Sequence, residues 1–411
     1  MILTLSRCCG HGLVLGIALL VAAGCSRSPS PPPADPLAMG WPAIEQAARG
    51  QTLRFVMWTG DPAINRYIGD FIKPRLKAGY DLDLEVVPGQ ADIPNQVLAE
   101  IEAGLKVSSM DLVWINGETF HKLRQMKALF GPFTSKLPNN PYVDWANPII
   151  ARDFQQPVEG FEAPWGTTQL LLIADSARVP DPPHTPDALT RWIHAHPGRF
   201  TFDSTFTGLS FLKSLMYAYA DSPEVLAGPF DDAVYQGLKT QVFDWVRRVR
   251  GDLWRGGQTF PKDVAQLHQL FANGEVDFTM SFNDGEVDNK VAIGLFPDTA
   301  RAYPLTTGML ANTHYLGIIG HSSQKAAAMV VINALISPEA QFEKLKPEVW
   351  GDGTVLDVAR LPEPWSSRFA QIPGRKRAPP RSALREVARQ EPSPELMIRL
   401  DQAFRDEIIR R

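Results

Sequence analysis

Residues 53–72 read LRFVMWTGDPAINRYIGDFI, and this stretch indicates how the first part of the chain folds. Its first six residues, 53–58, are apolar apart from one arginine and are typical of a short β-strand. Asp61 then stands where a helix N-cap is expected, and Pro62 occupies the first helical position. From Ile64 onward, apolar residues recur at helical spacing. The stretch therefore predicts a strand that is followed directly by a helix.

The same order of elements occurs twice more in the next part of the chain. Residues 82–87 alternate as a second strand, and Asp92 is placed to cap the helix that follows. Residues 111–115, DLVWI, are a third strand candidate, and Asn116 opens the next helix. Three strand–helix units in succession predict a doubly wound α/β lobe with a parallel sheet.

Elements after residue 164 predict a second α/β lobe and a return to the first. The expected strands are 169–173, 199–203, 276–282 and 313–319. The expected helices are 209–219, 234–249, one carrying Leu267, one from Ser322 to Ile336, and an amphipathic helix at the C-terminus. The basic run 375–377 is interpreted as a solvated surface loop, with docking to a partner or to anionic lipid as the alternative.

The composition excludes several classes of protein. The chain has 411 residues and a formal net charge of −4, with 44% hydrophobic and 21% charged residues, which is ordinary for a folded soluble protein. The acidic balance argues against a nucleic-acid partner. The three cysteines all lie within the first 25 residues, which excludes zinc or iron–sulfur sites built from cysteine and a disulfide framework in the main body.

The N-terminus is interpreted as an export signal. Residues 1–24 combine a basic start with an apolar run too short to span a bilayer comfortably. They end in VAAGC, which resembles a bacterial lipobox and implies lipidation at Cys25, hence a membrane anchor. Residues 25–50, rich in serine and proline at their start, are then a tether. A plain secretory signal with an incidental Cys25 is the alternative.

The layout resembles the periplasmic solute-binding proteins of ABC importers, in the large extracellular family with thiamine-, polyamine-, ferric- and maltose-type members. The matching motifs, in chain order, are WTGD (58–61), DLVWING (111–117), APWGTT (163–168), ANGEVDF (272–278) and SPEAQ (337–341). The resemblance implies two doubly wound α/β lobes joined by crossing hinge strands, as in a type II periplasmic binding protein. Lobe 1 would comprise 51–164 and about 313–345, lobe 2 about 165–312, and 346–411 would be a C-terminal segment.

The resemblance also implies a function. The chain would capture a small solute between its lobes and deliver it to an ABC permease driven by a separate ATPase. It would act as a monomer in the periplasm or at the cell surface, without a cofactor and without catalysis. Two alternatives stay open: a ligand-sensing lipoprotein that presents its closed form to a receptor, and an exported enzyme on the same fold.

Candidate ligand-binding residues lie where the predicted strands end, because open α/β sheets place their binding loops there. The candidates in the first lobe are Trp58, Gly60, Asp61, Asn116, Gly117 and Glu118. The candidates at the hinge and in the second lobe are Trp165, Gly166, Thr167, Asp203, Thr205, Asn283, Asp284 and Thr313. For the aspartates, asparagines and glycines, ordinary helix capping or tight turns are the competing interpretation; for Trp58 and Trp165 it is packing in the core.

The chemical character of these candidates favours a cationic solute. Aromatic and acidic side chains together suit an amine through cation–π contacts and charge-assisted hydrogen bonds. Within this class, the residues favour a thiamine-like or polyamine-like solute. The sequence contains no His-Glu-x-x-His zinc motif, no Gly-x-Ser-x-Gly elbow and no phosphate-binding P-loop, so common hydrolase chemistries lack their residues.

Overall fold

The computed structural model describes residues 35–89 and 92–409. The predicted signal (1–24) and the proposed lipidation site at Cys25 lie outside the described residues. Within the described ranges, no helix has both the length and the apolar character needed to cross a bilayer.

Helices account for most of the regular structure. They are α1 (Trp41–Ala48), α2 (Pro62–Arg66), α3 (Lys73–Tyr80), α4 (Ile93–Glu102), α5 (Gly117–Gln125), α6 (Pro148–Ala151), α7 (Pro186–Ala195), α8 (Phe206–Tyr219), α9 (Asp232–Val249), α10 (Val264–Ala272), α11 (Glu286–Ala292), α12 (Lys325–Leu335), α13 (Pro338–Leu345), α14 (Trp365–Ala370), α15 (Arg381–Glu386) and α16 (Pro394–Phe404). A π-helical turn, Tyr67–Ile72, joins α2 to α3.

The strands form two main sheets and one small hairpin. They are β1 (Thr52–Met57), β2 (Asp83–Pro88), β3 (Leu112–Ile115), β4 (Arg152–Asp153), β5 (Gln156–Pro157), β6 (Glu162–Gln169), β7 (Leu171–Asp175), β8 (Phe278–Ser281), β9 (Ala300–Tyr303), β10 (Met309–Ile318) and β11 (Ala388–Gln390). The hairpin consists of β4 and β5.

The first sheet confirms the α/β class that the sequence predicts. Strand β1 pairs in parallel with both β2 and β3, as expected for successive strand–helix units. Strand β10 runs antiparallel to β3, and it also pairs with β6 and β11. We call this sheet with its flanking helices the first lobe.

The second sheet is smaller and antiparallel, in the order β8-β7-β9. We call it, with α7 to α11, the second lobe. The predicted strand 199–203 lies outside the sheets, because its backbone groups bond to other segments: Trp254 donates to the Phe200 carbonyl at 2.9 Å and Asp277 donates to the Arg199 carbonyl at 2.8 Å. The predicted strand 169–173 is divided between β6 and β7.

Strands β6 and β10 connect the lobes. They lie side by side, with Ala311 opposite Gln169 and Gly317 opposite Glu162. Strand β6 leads into β7 of the second sheet, and β9 of the second sheet leads into β10. The chain crosses again near its C-terminus. The segment 346–411 is shared between the cores: Trp350 and Leu361 pack in the first, whereas Leu400 and Phe404 pack in the second.

Close packing at one helix start gives a stability prediction. In α8, a Cβ at Gly208 would lie 1.8 Å from the Asp203 carbonyl oxygen, so Gly208→Ala must displace backbone. We expect a loss of more than about 2 kcal/mol in the free energy of unfolding, by analogy with overpacking in cores. Urea unfolding of the chain from residue 25, carrying Cys25→Ser, measures it.

The matched control is Gly237→Ala in α9, where a Cβ meets no atom within 4 Å. Removing a helix-interior glycine there should stabilise the protein by up to about 1 kcal/mol. Equal effects of the two substitutions would contradict the packing described at Gly208.

Candidate functional site

The loop after β1 presents one aromatic ring to solvent. Trp58 is 37% exposed. Its ring lies over Gly60, where a Cβ would come within 2.4 Å of the indole, so only glycine fits beneath it. Asp61 caps α2 as predicted, accepting a hydrogen bond from the Ala63 amide at 2.7 Å.

Asp61 also joins the two lobes. Its second carboxylate oxygen lies 3.0 Å from the Lys290 ammonium of α11 in the second lobe. Lys290 in turn pairs with Glu286 at 2.9 Å, one helical turn earlier. All three side chains are buried. We call Asp61, Glu286 and Lys290 the interlobe triad.

Burial and mutual charge shift the pKa of each member of the triad. Burial raises the pKa of Asp61, and the Glu286 carboxylate raises it further. Burial alone would raise the pKa of Glu286, but the Lys290 ammonium and His268 lower it to about 2. Burial opposes a charged Lys290, yet its two carboxylate partners raise its pKa above the ordinary value. These shifts favour the charged forms of Glu286 and Lys290 and disfavour the carboxylate of Asp61.

The ring of Phe154, from the β4–β5 hairpin, packs against the N-terminus of α5. Gly117 has a φ of +29°, and a Cβ there would lie 2.3 Å from the Phe154 ring. Glu118 pairs with Lys122 along the same helix. Asn116 makes no capping hydrogen bond with its side chain, and is half-buried.

Of the predicted hinge residues, Trp165 lies inside the first core. Trp165 is 0% exposed, and its ring packs 4.9 Å from Trp114 and 5.3 Å from Trp350. In this arrangement its faces are covered by protein, which agrees with the packing interpretation.

Two other predicted hinge residues, Gly166 and Thr167, lie against the segment 350–354. A Cβ at Gly166 would lie 2.0 Å from an oxygen of Asp352. Thr167 exchanges backbone hydrogen bonds of 3.0 Å with Gly353. Thr313 Oγ1 donates to the Ile149 carbonyl at 2.8 Å.

In the second lobe, Asp203 lies two residues before Thr205, the N-cap of α8. It accepts a hydrogen bond from the Thr205 amide at 2.9 Å and another from the Thr205 hydroxyl. Burial raises the pKa of Asp203, while these hydrogen bonds lower it in part.

Asp284 has two arginine partners within the chain. Arg375 lies 2.7 Å and Arg381 2.8 Å from its carboxylate. The neighbouring Asn283 donates to the Trp350 carbonyl at 3.2 Å. The expectation that 375–377 is a solvated loop is thus wrong at Arg375, whose side chain is 5% exposed because its charge is satisfied by Asp284.

The structure therefore brings the ends of β1 and β8 together from different lobes. Several residues at this junction were not predicted from the sequence: Lys290, His268, Arg381 and Asp352. The i, i+4 spacing of Glu286 and Lys290 was the one visible signal. No group of three histidine, cysteine or acidic side chains is arranged to hold a metal ion in the described ranges.

Comparison with known proteins decides the family. The sequence profile of the bacterial extracellular solute-binding proteins matches residues 71–371. The chain belongs to this family. It is also 36% identical over 331 residues to Protein YnjB of Escherichia coli (strain K12), covering 79% of this chain and 85% of that protein.

Solved structures agree with the fold. An ABC transporter substrate-binding protein from Bradyrhizobium japonicum USDA 110 aligns with a TM-score of 0.62 at 15% identity, over 87% of this chain and 99% of that one. A putative spermidine/putrescine ABC transporter from Listeria monocytogenes aligns at 0.61 and 15% identity, over 88% and 99%. The fold and family are those of extracellular or periplasmic transport proteins that bind small solutes and work with a permease and an ATPase, and they are not those of enzymes.

The triad gives a pH prediction. Because the pKa of Glu286 is lowered from 4.5 to about 2, its contribution to stability is complete above pH 4.5 and is lost as the pH falls toward 2. In Glu286→Gln, the urea midpoint should be lower at pH 7 and should change less between pH 4.5 and pH 2 than in the wild type.

The control is Glu395→Gln, which removes a carboxylate from the exposed i, i+4 pair with Arg399. Exposed pairs contribute little, so its midpoint should follow the wild type at every pH. Two indistinguishable pH profiles for the two variants would refute the assignment.

Proposed function

We propose that the chain is the extracytoplasmic substrate-binding component of an ABC importer. It captures a small polar solute between its two lobes and delivers it to a membrane permease, and a separate ATPase supplies the energy. The observation that carries the proposal is the direct contact between the helix starts that follow β1 and β8 in different lobes, Asp61 with Lys290, on a chain of the solute-binding family.

The proposed binding surface uses four predicted residues whose side chains are not fully buried. In the first lobe these are Trp58, above Gly60, and Asn116. In the second lobe they are Thr205 and Asn283, beside the start of α8 and the end of β8. The other predicted residues, Asp61, Gly117, Glu118, Trp165, Gly166, Thr167, Asp203, Asp284 and Thr313, support this surface through contacts within the chain.

The charge of the solute is a separate part of the proposal. Asp61, Glu118, Asp284 and Glu286 all have cationic partners within the chain, so these carboxylates alone do not select a cation. An amine, thiamine-like or polyamine-like, is still the first class to test, because Trp58 offers an exposed aromatic face for a cation.

The proposed setting follows from the N-terminal signal. We propose that the protein is exported, lipidated at Cys25 and held at the membrane by the tether, as a monomer. Such a tether would keep the receptor close to its permease and raise their effective concentration.

Thermal unfolding tests the proposed function. The Cys25→Ser protein would be heated with thiamine compounds, polyamines, quaternary amines, sugars, phosphates and metal ions. A ligand at one hundred times its dissociation constant adds about 2.7 kcal/mol, which raises the melting temperature by several degrees. We expect such a shift with one solute class, and a weaker shift in Trp58→Ala.

Val225→Ala is the control, because Val225 is a comparably exposed apolar residue, at 38%, in the second lobe. It should keep the full shift. A shift that Trp58→Ala leaves unchanged would remove Trp58 from the site, and turnover of any solute would overturn the receptor function in favour of an enzyme.

A further inference from the structure

One lysine joins the two lobes through its charge. The Lys290 ammonium lies 3.0 Å from Asp61, which follows β1 in the first lobe, and 2.9 Å from Glu286, which lies on the same helix α11 in the second lobe. The three side chains of this interlobe triad are at most 8% exposed. Water therefore screens their charges poorly, and both their attraction and their repulsion are strong.

The two carboxyl groups of the triad lie next to each other across the junction. Burial raises the pKa of Asp61 most, and Glu286 raises it further through its charge and through a hydrogen bond between the two side chains. Lys290 lowers the pKa of Asp61 and so opposes both effects. Without Lys290, two buried carboxylates from different lobes would meet with no ammonium between them, which is strongly unfavourable.

Each carboxyl group is also fixed within its own lobe. Asp61 accepts a hydrogen bond from the Ala63 amide at 2.7 Å, as the N-cap of α2. Glu286 accepts a hydrogen bond from the Ser281 hydroxyl at the end of β8, and it lies 3.9 Å from His268 of α10. If the lobes separate, Lys290 therefore keeps Glu286 as its partner, and its contact with Asp61 can break and form again.

The same part of the second lobe makes neutral contacts with the first. Asn283, just before α11, and Asn289, within it, both donate to the carbonyl of Trp350, which packs in the first core. A Cβ at Gly285 would lie 2.7 Å from the Gly351 carbonyl oxygen. Helix α11 and the turn before it thus meet the first lobe closely, and the triad is the charged part of this contact.

We propose that Lys290 is an interlobe clasp, whose ammonium holds together two carboxyl groups from different lobes that would otherwise repel each other. With Lys290 in place, the chain reaches the closed arrangement without a solute. Without Lys290, the charges of Asp61 and Glu286 favour separated lobes, in which Asp61 is hydrated. The inference rests on the lobe movement in the proposed function, but not on the identity of the solute.

The clasp implies that closure takes up protons. The groups facing Asp61 are Glu286 and Lys290 from α11 and the Ala63 amide of α2, and His268 from α10 acts in turn on Glu286. The pKa of Asp61 is raised in the closed arrangement, whereas a hydrated aspartate has its ordinary pKa. Closed molecules therefore bind the proton more tightly, so a falling pH should favour closure. Removing Lys290 should strengthen this dependence, because Lys290 lowers the pKa of Asp61.

Single-molecule energy transfer without any solute tests the clasp. The chain from residue 25 with Cys25→Ser has no other cysteine, so Leu98→Cys and Val225→Cys place one dye on each lobe at exposed positions. At pH 7.5, Lys290→Met should raise the ratio of open to closed molecules about tenfold or more, because two buried carboxylates then face each other. At pH 5, protonation of one carboxyl group should reverse most of this change.

Two further variants separate charge from packing. Lys290→Met with Asp61→Asn removes the ammonium and the opposing carboxylate together, and asparagine still caps α2. Its ratio at pH 7.5 should return toward the wild-type value and should respond less to pH. The matched control is Lys239→Met, which removes a half-buried lysine from its 2.8 Å pair with Glu407, beside Ile408 of the second core. Its ratio should equal that of the wild type.

The possible results decide the inference. Equal ratios in Lys290→Met and Lys239→Met would overturn the clasp. A double variant that stays open would also overturn it, because Lys290 would then act through packing and not through charge.

A second comparison does not require Lys290→Met to fold. The ratio of open to closed molecules should fall between pH 7.5 and pH 5 in the wild type and should change less in Asp61→Asn, and equal pH responses would overturn the clasp. Because no solute is present, failure of the clasp leaves the receptor function standing. A solute panel without any shift in melting temperature would count against the receptor function and not against the clasp.

Discussion

The structure depends on the pairing of two strands, β6 and β10, that run side by side between the lobes. Because each strand belongs to the first sheet and is joined directly to a strand of the second, the two cores stay separate while the segments after their strands meet at the junction. This arrangement puts residues distant in sequence, such as Asp61 and Lys290, into contact across the junction. A protein built in this way can bind a ligand by changing the angle between its lobes.

Charges inside the junction are largely satisfied by the chain itself. The interlobe triad, the Asp284–Arg375–Arg381 group and the Lys213–Glu391 pair all join segments far apart in sequence. Buried pairs of this kind add little net stability compared with apolar packing, but breaking one leaves an uncompensated charge. They therefore specify how the lobes meet.

Much of the fold could be predicted from the sequence because its signals are local. The stretch 53–72 contains a strand, a cap and a helix start within twenty residues, and the structure has each of them. The signals for the residues at the ends of the strands were also local. The contacts of those side chains, however, depend on distant parts of the chain. The sequence around Asp284 does not indicate that arginines about ninety residues later neutralise it. The sequence around Trp165 does not indicate that its ring packs against Trp350.

The most direct test of the account is the distance between the lobes. The chain from residue 26 has no cysteine, so Leu98→Cys in the first lobe and Val225→Cys in the second give two unique dye sites, both exposed. Single-molecule energy transfer would then be recorded with and without the solute that stabilises the protein. A change in the angle between the lobes on binding predicts that this solute shifts the inter-dye distance distribution to a new value. An identical distribution with saturating solute would contradict it, because binding would then not change the angle between the lobes.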